Sequence, residues 1–375
     1  MSVLVVSCVA RTCLGDDAET FAALLRGECG VSSLRHFPAR QLNVTSGYQL
    51  PRQRGEPAPY AGSWLAGCVT EAVRRAGLDP NRQRVAVLAG TGLRELRAVE
   101  RWALDGGAVC LEDLHFTGPV RRAAPGVTSV LTLSNACSAG GYALALGQDL
   151  LELGEADAVV VAAADTMTES MLAMIGRFAD EPADRVRPFD SGRPGVLLGE
   201  GAAAAVLVPE GEAAVPPVAR MLATGLSCDA HHETAPDPDG IRRAMAGAFE
   251  RAGRAAREVD VVYAHGTGTV LNDPAEAAVL TDVFGSDGAG PLVTAVKGAV
   301  GHTSGTSALT SLAMAVHSLR AGVVPPVVGL REPLGEGRGL RLVRDRPRSA
   351  DVRLAQINAF GFGGVNAVSL IAGPP

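Results

Sequence analysis

A chain of 375 residues with 47% hydrophobic content, 45 glycines and 20% charged residues describes an α/β protein with broad buried sheets, long enough for two packed halves. Its net charge of −6 argues against a nucleic-acid surface, where affinity comes from clustered Lys and Arg neutralising phosphates. The seven cysteines (Cys8, Cys13, Cys29, Cys68, Cys110, Cys137 and Cys228) include no CxxC pair, so they suggest neither a disulfide framework nor a zinc site and fit a reducing cytoplasm.

The opening MSVLVVSCVA lacks a charged leader and runs into polar RTCLGDD, which predicts a first strand and no signal peptide. No run reaches the roughly 18 apolar residues that span a bilayer. DDAETFAALLRG reads as a helix with an acidic start. Residues 38–62 carry Pro, Gly and Arg without a period and read as an irregular excursion, followed by helix WLAGCVTEAVRRAG and strand RVAVLAG. VTSVLTLS is β-branched and short, as a buried strand is, and ALALGQDLLELG has helical spacing. SNACSAGG between them places Cys137 at a strand-to-helix junction, where unpaired amides and the helix dipole favour the thiolate. Gly140 and Gly141 let a neighbouring backbone or an acyl group come close.

Part of the chain recurs. Residues 76–92, AGLDPNRQRVAVLAGTG, align without a gap on residues 252–268, AGRAAREVDVVYAHGTG, an offset of 176. TSVLTLSNACSAGGYALALG then matches LVTAVKGAVGHTSGTSALTSLAMAV as strand, small-residue loop and helix. Two copies of one α/β unit are expected, residues 1–212 and 213–375, meeting near the segment from Ala202 to Arg220. Packed about a pseudo-twofold, they would bring Cys137 to face His265 and His302.

His265 ends a β-branched strand and opens a Gly/Thr turn, a place from which a side chain points into a cleft. Asp273 and Glu276, just beyond, read as caps of the next helix. Lys297 and His302 stand five apart across a Gly-rich turn. INAFGFGGVNAVSLI reads as strand, tight turn and strand, either a plain hairpin or a turn that aims an amide at a developing oxyanion.

The stretches LGDDAETFAALLRG, NACSAGG, RPFDSGRPGVLLGEGAAAAVL, HGTGT with DPAE, VKGAVGH and NAFGFGGVN together resemble the β-ketoacyl-acyl-carrier-protein synthases of the thiolase superfamily, over nearly the whole chain. The resemblance implies a thiolase-like α/β fold, two pseudo-symmetric halves layered αβαβα. It implies Cys137 as the acyl-accepting nucleophile, His265 and His302 as the pair that assists decarboxylation of a malonyl thioester, and Lys297 as the family lysine. The amides of Cys137 and Phe362 would form an oxyanion hole, with Phe362 as gatekeeper and Phe360, Gly361, Gly363, Gly364, Asn366, Thr267 and Thr269 supporting the pocket. No bound cofactor or metal is implied, since substrates arrive on the phosphopantetheine of an acyl-carrier protein. The expected partners are that carrier and a second subunit, either an identical copy or a mate resembling a chain-length factor, with no nucleic acid or membrane. The Cys-His-His set resembles the elongating synthases. Chain-initiating ones resemble Cys-His-Asn, and degradative thiolases use a second cysteine near the C-terminus, whereas Cys228 is the last here.

The chain departs from the family pattern in two places. Ser311 and Ala308 stand where the family places a glutamate, apparently the lysine's partner, and a glycine. The interval from Gly92 to Cys137, which the family uses for its dimer interface and acyl pocket, is short. Both departures point toward specialised polyketide synthesis rather than housekeeping fatty-acid synthesis. The competing activities are an acyltransferase or cyclase that passes the Cys137 acyl group to an amine or hydroxyl, and a non-catalytic chain-length partner, which Cys137 and both histidines argue against. An acidic carrier needs a local arginine surface, with Arg52 and Arg54 or Arg121 and Arg122 as candidates.

Overall fold

In the first helix the sequence closes its own N-terminus: the Asp16 carboxylate accepts the Glu19 amide at 2.9 Å while the Glu19 carboxylate accepts the Asp16 amide at 3.0 Å. This reciprocal cap satisfies two amides that the helix itself leaves unpaired. The computed structural model describes residues 2–35, 37–51, 61–177 and 181–375. Along the chain its main elements are β1 (Val3–Thr12), α1 (Asp17–Leu25), α2 (Ala61–Ala76), β2 (Val85–Gly90), α3 (Leu96–Asp105), β3 (Ser129–Leu133), α4 (Ala139–Glu152), β4 (Ala158–Asp165) and β5 (Gly201–Pro209). They continue with β6 (Ala219–Cys228), α5 (Pro238–Ala252), β7 (Val261–Tyr263), α6 (Asn272–Phe284), β8 (Leu292–Thr294), α7 (Ser307–Ala321), β9 (Arg341–Leu342), β10 (Leu354–Gly361) and β11 (Val365–Ala372).

These strands hydrogen-bond in the order β9-β8-β7-β10-β11-β6-β1-β5-β4-β2-β3. Counted outward from the centre, β1-β5-β4-β2-β3 mirrors β6-β11-β10-β7-β8, so the repeat seen in the sequence is a repeat of topology. The two sheets join through a short antiparallel contact, Val3–Val5 with Ala219–Met221. Beyond it they separate, and α4 and α7 fill the space between them, with Leu144, Leu309, Leu312, Val161 and Ile357 in one buried core. α2 covers the outer face of the first sheet through Leu65 and Val69, and α5 and α6 cover the second through Ile241 and Leu280. The result is the expected αβαβα layering. β4, AVVVAAAD, is buried at every position because it has helices on both faces, which is why it shows no apolar-polar alternation.

One strand differs from its expectation. Among the described residues β3 pairs only with β2 and forms an edge, and Leu131 is 48% exposed there. No helix among the described residues is long and apolar enough to cross a membrane.

Candidate active site

Cys137 lies in a single 3-10 turn, Ala136–Ser138, between β3 and α4. Ala136 adopts φ 48°, and in the second half Ser304 does the same in the matching turn Ser304–Thr306 ahead of α7. The hairpin turn between β10 and β11 comes in from the other side. A methyl group at Gly361 would sit 2.9 Å from the Val365 side chain and 3.2 Å from the Cys137 nitrogen, so the absence of a side chain eases this close approach. The GFGG stretch is therefore a hairpin and also part of the site. Gly140 and Gly141 serve packing: side chains there would meet the Gly305 carbonyl at 2.9 Å and the Ala367 side chain at 2.5 Å.

Burial pushes the Cys137 thiol up to about 11, against the Lys297 charge and the amides of Phe362 and Cys137, which favour the thiolate; Asp165 adds to the rise. Burial outweighs the pull of these amides and of Lys297 toward the thiolate, so at neutral pH the sulfur is a thiol rather than the thiolate expected at a strand-to-helix junction. The two amides that meet this sulfur are those named above for the oxyanion hole.

His265 is 2% exposed and His302 7%, with ring centroids 5.4 Å apart at 84°. Phe360 packs 5.5 Å from the His265 ring. Burial holds both imidazoles well below their usual range, reinforced at His265 by Lys297 and His302 and at His302 by Lys297. Their tautomers follow from their partners. The His302 Nδ1 accepts the Ser304 amide at 3.2 Å, and the His265 Nδ1 accepts from Lys297 Nζ at 3.3 Å. Each neutral ring therefore carries its proton on Nε2, as a donor.

Lys297 is the chain's single lysine and is 1% exposed. Its ammonium also donates to the His265 carbonyl. Burial brings it down to about 8, opposed first by the charge of Glu276 and then by Cys137 and Asp273. Ser311 is buried on α7, and Glu276 supplies the leading negative field on the lysine from another element.

Asp273 and Glu276 do not cap α6, whose N-terminus has no side-chain cap. Glu276 accepts the amides of His265 at 2.7 Å and Gly266 at 2.8 Å and the Asn358 side-chain amide at 2.9 Å. Asp273 accepts the amides of Phe189 at 2.7 Å and Gly268 at 3.0 Å. Both are fully buried, and burial raises both carboxyls. They are loop organisers, together with Asn358. Asp165, at the end of β4, plays the same part in the first half: it binds Thr91 Oγ1 at 2.7 Å and the amides of Gly92, Leu93 and Gly305, and burial pushes it up to about 6. Sequence reading missed Asp165, because its partners lie 72 to 140 residues away.

Of the remaining predicted residues, Thr267 and Thr269 bond each other at 2.9 Å beside Asp273. Asn366 donates to Asp229 at 2.6 Å and to the Gly364 carbonyl at 3.2 Å, and Gly363 donates to the Glu233 carbonyl at 2.8 Å, so the loop after β6 holds the GFGG turn. Phe362 is 50% exposed. Arg122 bonds Asp113, while Arg52 and Arg54 lie outside the described residues.

Two family models match the chain: beta-ketoacyl synthase, N-terminal domain, over residues 60–213, and beta-ketoacyl synthase, C-terminal domain, over residues 218–331. Nodulation protein E of Rhizobium meliloti (strain 1021) is 33% identical over 80% of this chain and 78% of its own length. The 3-oxoacyl-[acyl-carrier-protein] synthase 2 of Mycobacterium leprae (strain TN) is 30% identical over 97% of this chain and 95% of its own. Among solved structures, the ishigamide ketosynthase/chain length factor superposes with a TM-score of 0.90 at 29% identity, covering 100% of this chain and 99% of that one.

Proposed function

The chain belongs to the β-ketoacyl synthase family, and on that premise we propose that Cys137, His265 and His302 are its catalytic residues. The activity is an acyltransferase-type condensation that depends on an acyl-carrier protein. The observation that carries the assignment is the convergence of one thiol, two amides on its sulfur and two neutral imidazoles protonated on Nε2.

The reaction has two stages. The Cys137 sulfur attacks the acyl thioester, the carbon–sulfur bond to the carrier breaks, and the Cys137 proton passes to the departing carrier sulfur, giving a thioester of similar energy. Malonyl-carrier protein then loses carbon dioxide, and the electron pair of the broken C–C bond becomes an enolate. The Nε2 protons of His265 and His302 meet the enolate oxygen in a site sheltered from water. The enolate carbon attacks the Cys137 thioester, the amides of Cys137 and Phe362 hold the tetrahedral oxyanion, and collapse frees the sulfur. Lys297 fixes the His265 tautomer, and Phe362 gates the entrance with Phe360, Gly361, Gly363, Gly364, Asn366, Thr267 and Thr269 shaping the pocket behind it.

The same proposal extends to organisation. Residues 1–212 supply the nucleophile and residues 213–375 both histidines and the GFGG turn. A second subunit covers the exposed apolar residues Trp102, Leu104, Leu111 and Leu131 along the first half. The pathway is specialised polyketide synthesis, in line with the departures from the family pattern and the likeness to the ishigamide ketosynthase/chain length factor.

The test combines intact mass with carbon dioxide release from malonyl-carrier protein. Cys137→Ala should take up no acyl group. His265→Ala and His302→Ala should remain acylated but lose carbon dioxide release by on the order of 10² to 10³. Acylation of the Cys137→Ala variant, or unchanged release by both histidine variants, overturns the assignment. Acyl transfer to an amine or hydroxyl without carbon dioxide release would point instead to an acyltransferase.

A further inference from the structure

Behind the loop that carries Lys297 lie two thiols from separate parts of the N-terminal region. Cys29 Sγ donates to the Gly298 carbonyl at 3.3 Å, and Cys13 Sγ to the next carbonyl, Ala299, at 3.8 Å. Residues 29–30 run alongside this turn, with the Gly30 amide also donating to the Ala299 carbonyl at 2.9 Å. Cys13 Sγ presses on the glycine that follows Cys29: a methyl group at Gly30 would lie 2.3 Å from that sulfur. Tyr48 completes the cluster. Its hydroxyl donates to the Gly298 carbonyl at 3.2 Å, accepts the Val186 amide at 3.0 Å and lies 3.8 Å from Cys29 Sγ.

We propose that Cys13 and Cys29 form a redox-modifiable dithiol that closes to a disulfide and, by moving the turn at Gly298 and Ala299, reports the thiol-disulfide balance to Lys297 and His302. Three observations support it. Both sulfurs bond consecutive carbonyls of one turn, Lys297–Val300, which leads to His302 through Gly301. Both cysteines are half-buried at the edge of the core. The two thiols also feel each other: burial, and after it the neighbouring Cys29, pushes the Cys13 thiol up to about 12, so Cys13 is poorly suited to open the exchange.

The oxidant is a low-molecular-weight disulfide. The Cys29 thiolate attacks one of its sulfurs, forming a mixed disulfide and expelling the first small thiolate. Cys13 Sγ then attacks the Cys29 sulfur, its proton passing to the second departing thiolate. The protein loses two hydrogens, and the small disulfide becomes two thiols. The new bond draws the two sulfurs together and withdraws both S–H donors from the carbonyls of Gly298 and Ala299. In a reducing compartment such a bond is transient, as a sensor requires.

The experiment uses the full-length enzyme with Cys137 already acylated, so that the nucleophile is masked, and exposes it to oxidised glutathione. Peptide mapping should recover a Cys13–Cys29 link, removed by dithiothreitol. After the oxidant is removed, single-turnover condensation with malonyl-carrier protein should be at least about tenfold slower than in untreated enzyme, and dithiothreitol should restore it. Cys29→Ser, which keeps a hydroxyl donor for the Gly298 carbonyl, should retain the untreated rate and ignore the oxidant. Cys29 glutathionylated with Cys13 left free overturns the proposal, and so does a Cys13–Cys29 link that leaves the rate unchanged. The rate effect and the masking of Cys137 rest on the condensation proposed above, whereas a peptide map of unacylated enzyme reads the Cys13–Cys29 link without it, so failure of one is distinguishable from failure of the other.

Discussion

At Cys137 two opposing effects meet, and their order of size decides the chemistry. The strand-to-helix junction is legible in SNACSAGG, and so is the pull of its amides toward the thiolate; the burial that outweighs it is not, because it comes from tertiary packing, and the charges of Lys297 and Asp165 reach the sulfur from elements that sequence spacing does not place beside it. Lys297 offers a test of this balance with a defined sign. Below about pH 8 the lysine is charged and favours the thiolate; above it the lysine is neutral and its help disappears. Lys297→Met should therefore slow alkylation of Cys137 by iodoacetamide several-fold at pH 7, with the two rates converging above about pH 9. A constant ratio across that range would show that the lysine acts on the thiol by position rather than by charge.

The elements that build the site differ in how openly their sequences announce them. The α1 cap is readable because Asp16 and Glu19 are three residues apart, and the helix-strand pairs are readable because their periodicity is local. Glu276 looks like a helix cap for the same reason: it lies in the first turns of α6, and only the folded loop turns its carboxylate back across eleven residues to the amides of His265 and Gly266. Removing it would strand two buried amides and the Asn358 side chain, and each unsatisfied donor costs about 1–3 kcal/mol. Glu276→Ala should thus lower the unfolding free energy by about 3 kcal/mol in urea titrations and release the His265 loop, with decarboxylation falling alongside. Glu276→Gln keeps one acceptor and should fall between the two. Wild-type stability in Glu276→Ala would mean that the amides find other partners and that the carboxylate does not organise the loop.

For the molecule as a whole, the 176-residue offset in the sequence translates directly into mirrored strand order, because a repeated helix and strand must pack against the same kind of neighbour in each half. β3 is where that reading fails. An edge strand can carry the β-branched composition of a buried one, so VTSVLTLS reads as interior although Leu131 is 48% exposed. Trp102, Leu104 and Leu111 stand exposed in the interval between β2 and β3, at 56%, 70% and 73%, and isolated apolar side chains on a surface need no explanation, whereas a set of this size does. Burying a leucine contributes about 1.5–3 kcal/mol, so two of them decide whether a subunit contact survives at micromolar concentration. Leu111→Arg with Leu131→Arg should convert a sedimenting dimer into a monomer while leaving the circular dichroism spectrum unchanged, since neither side chain supports the cores of the single chain. Condensation should fall with the loss of the dimer if the proposed mate completes the pocket. If wild-type protein sediments as a monomer at micromolar concentration and is fully active alone, this face has another purpose and the pocket is complete within one chain.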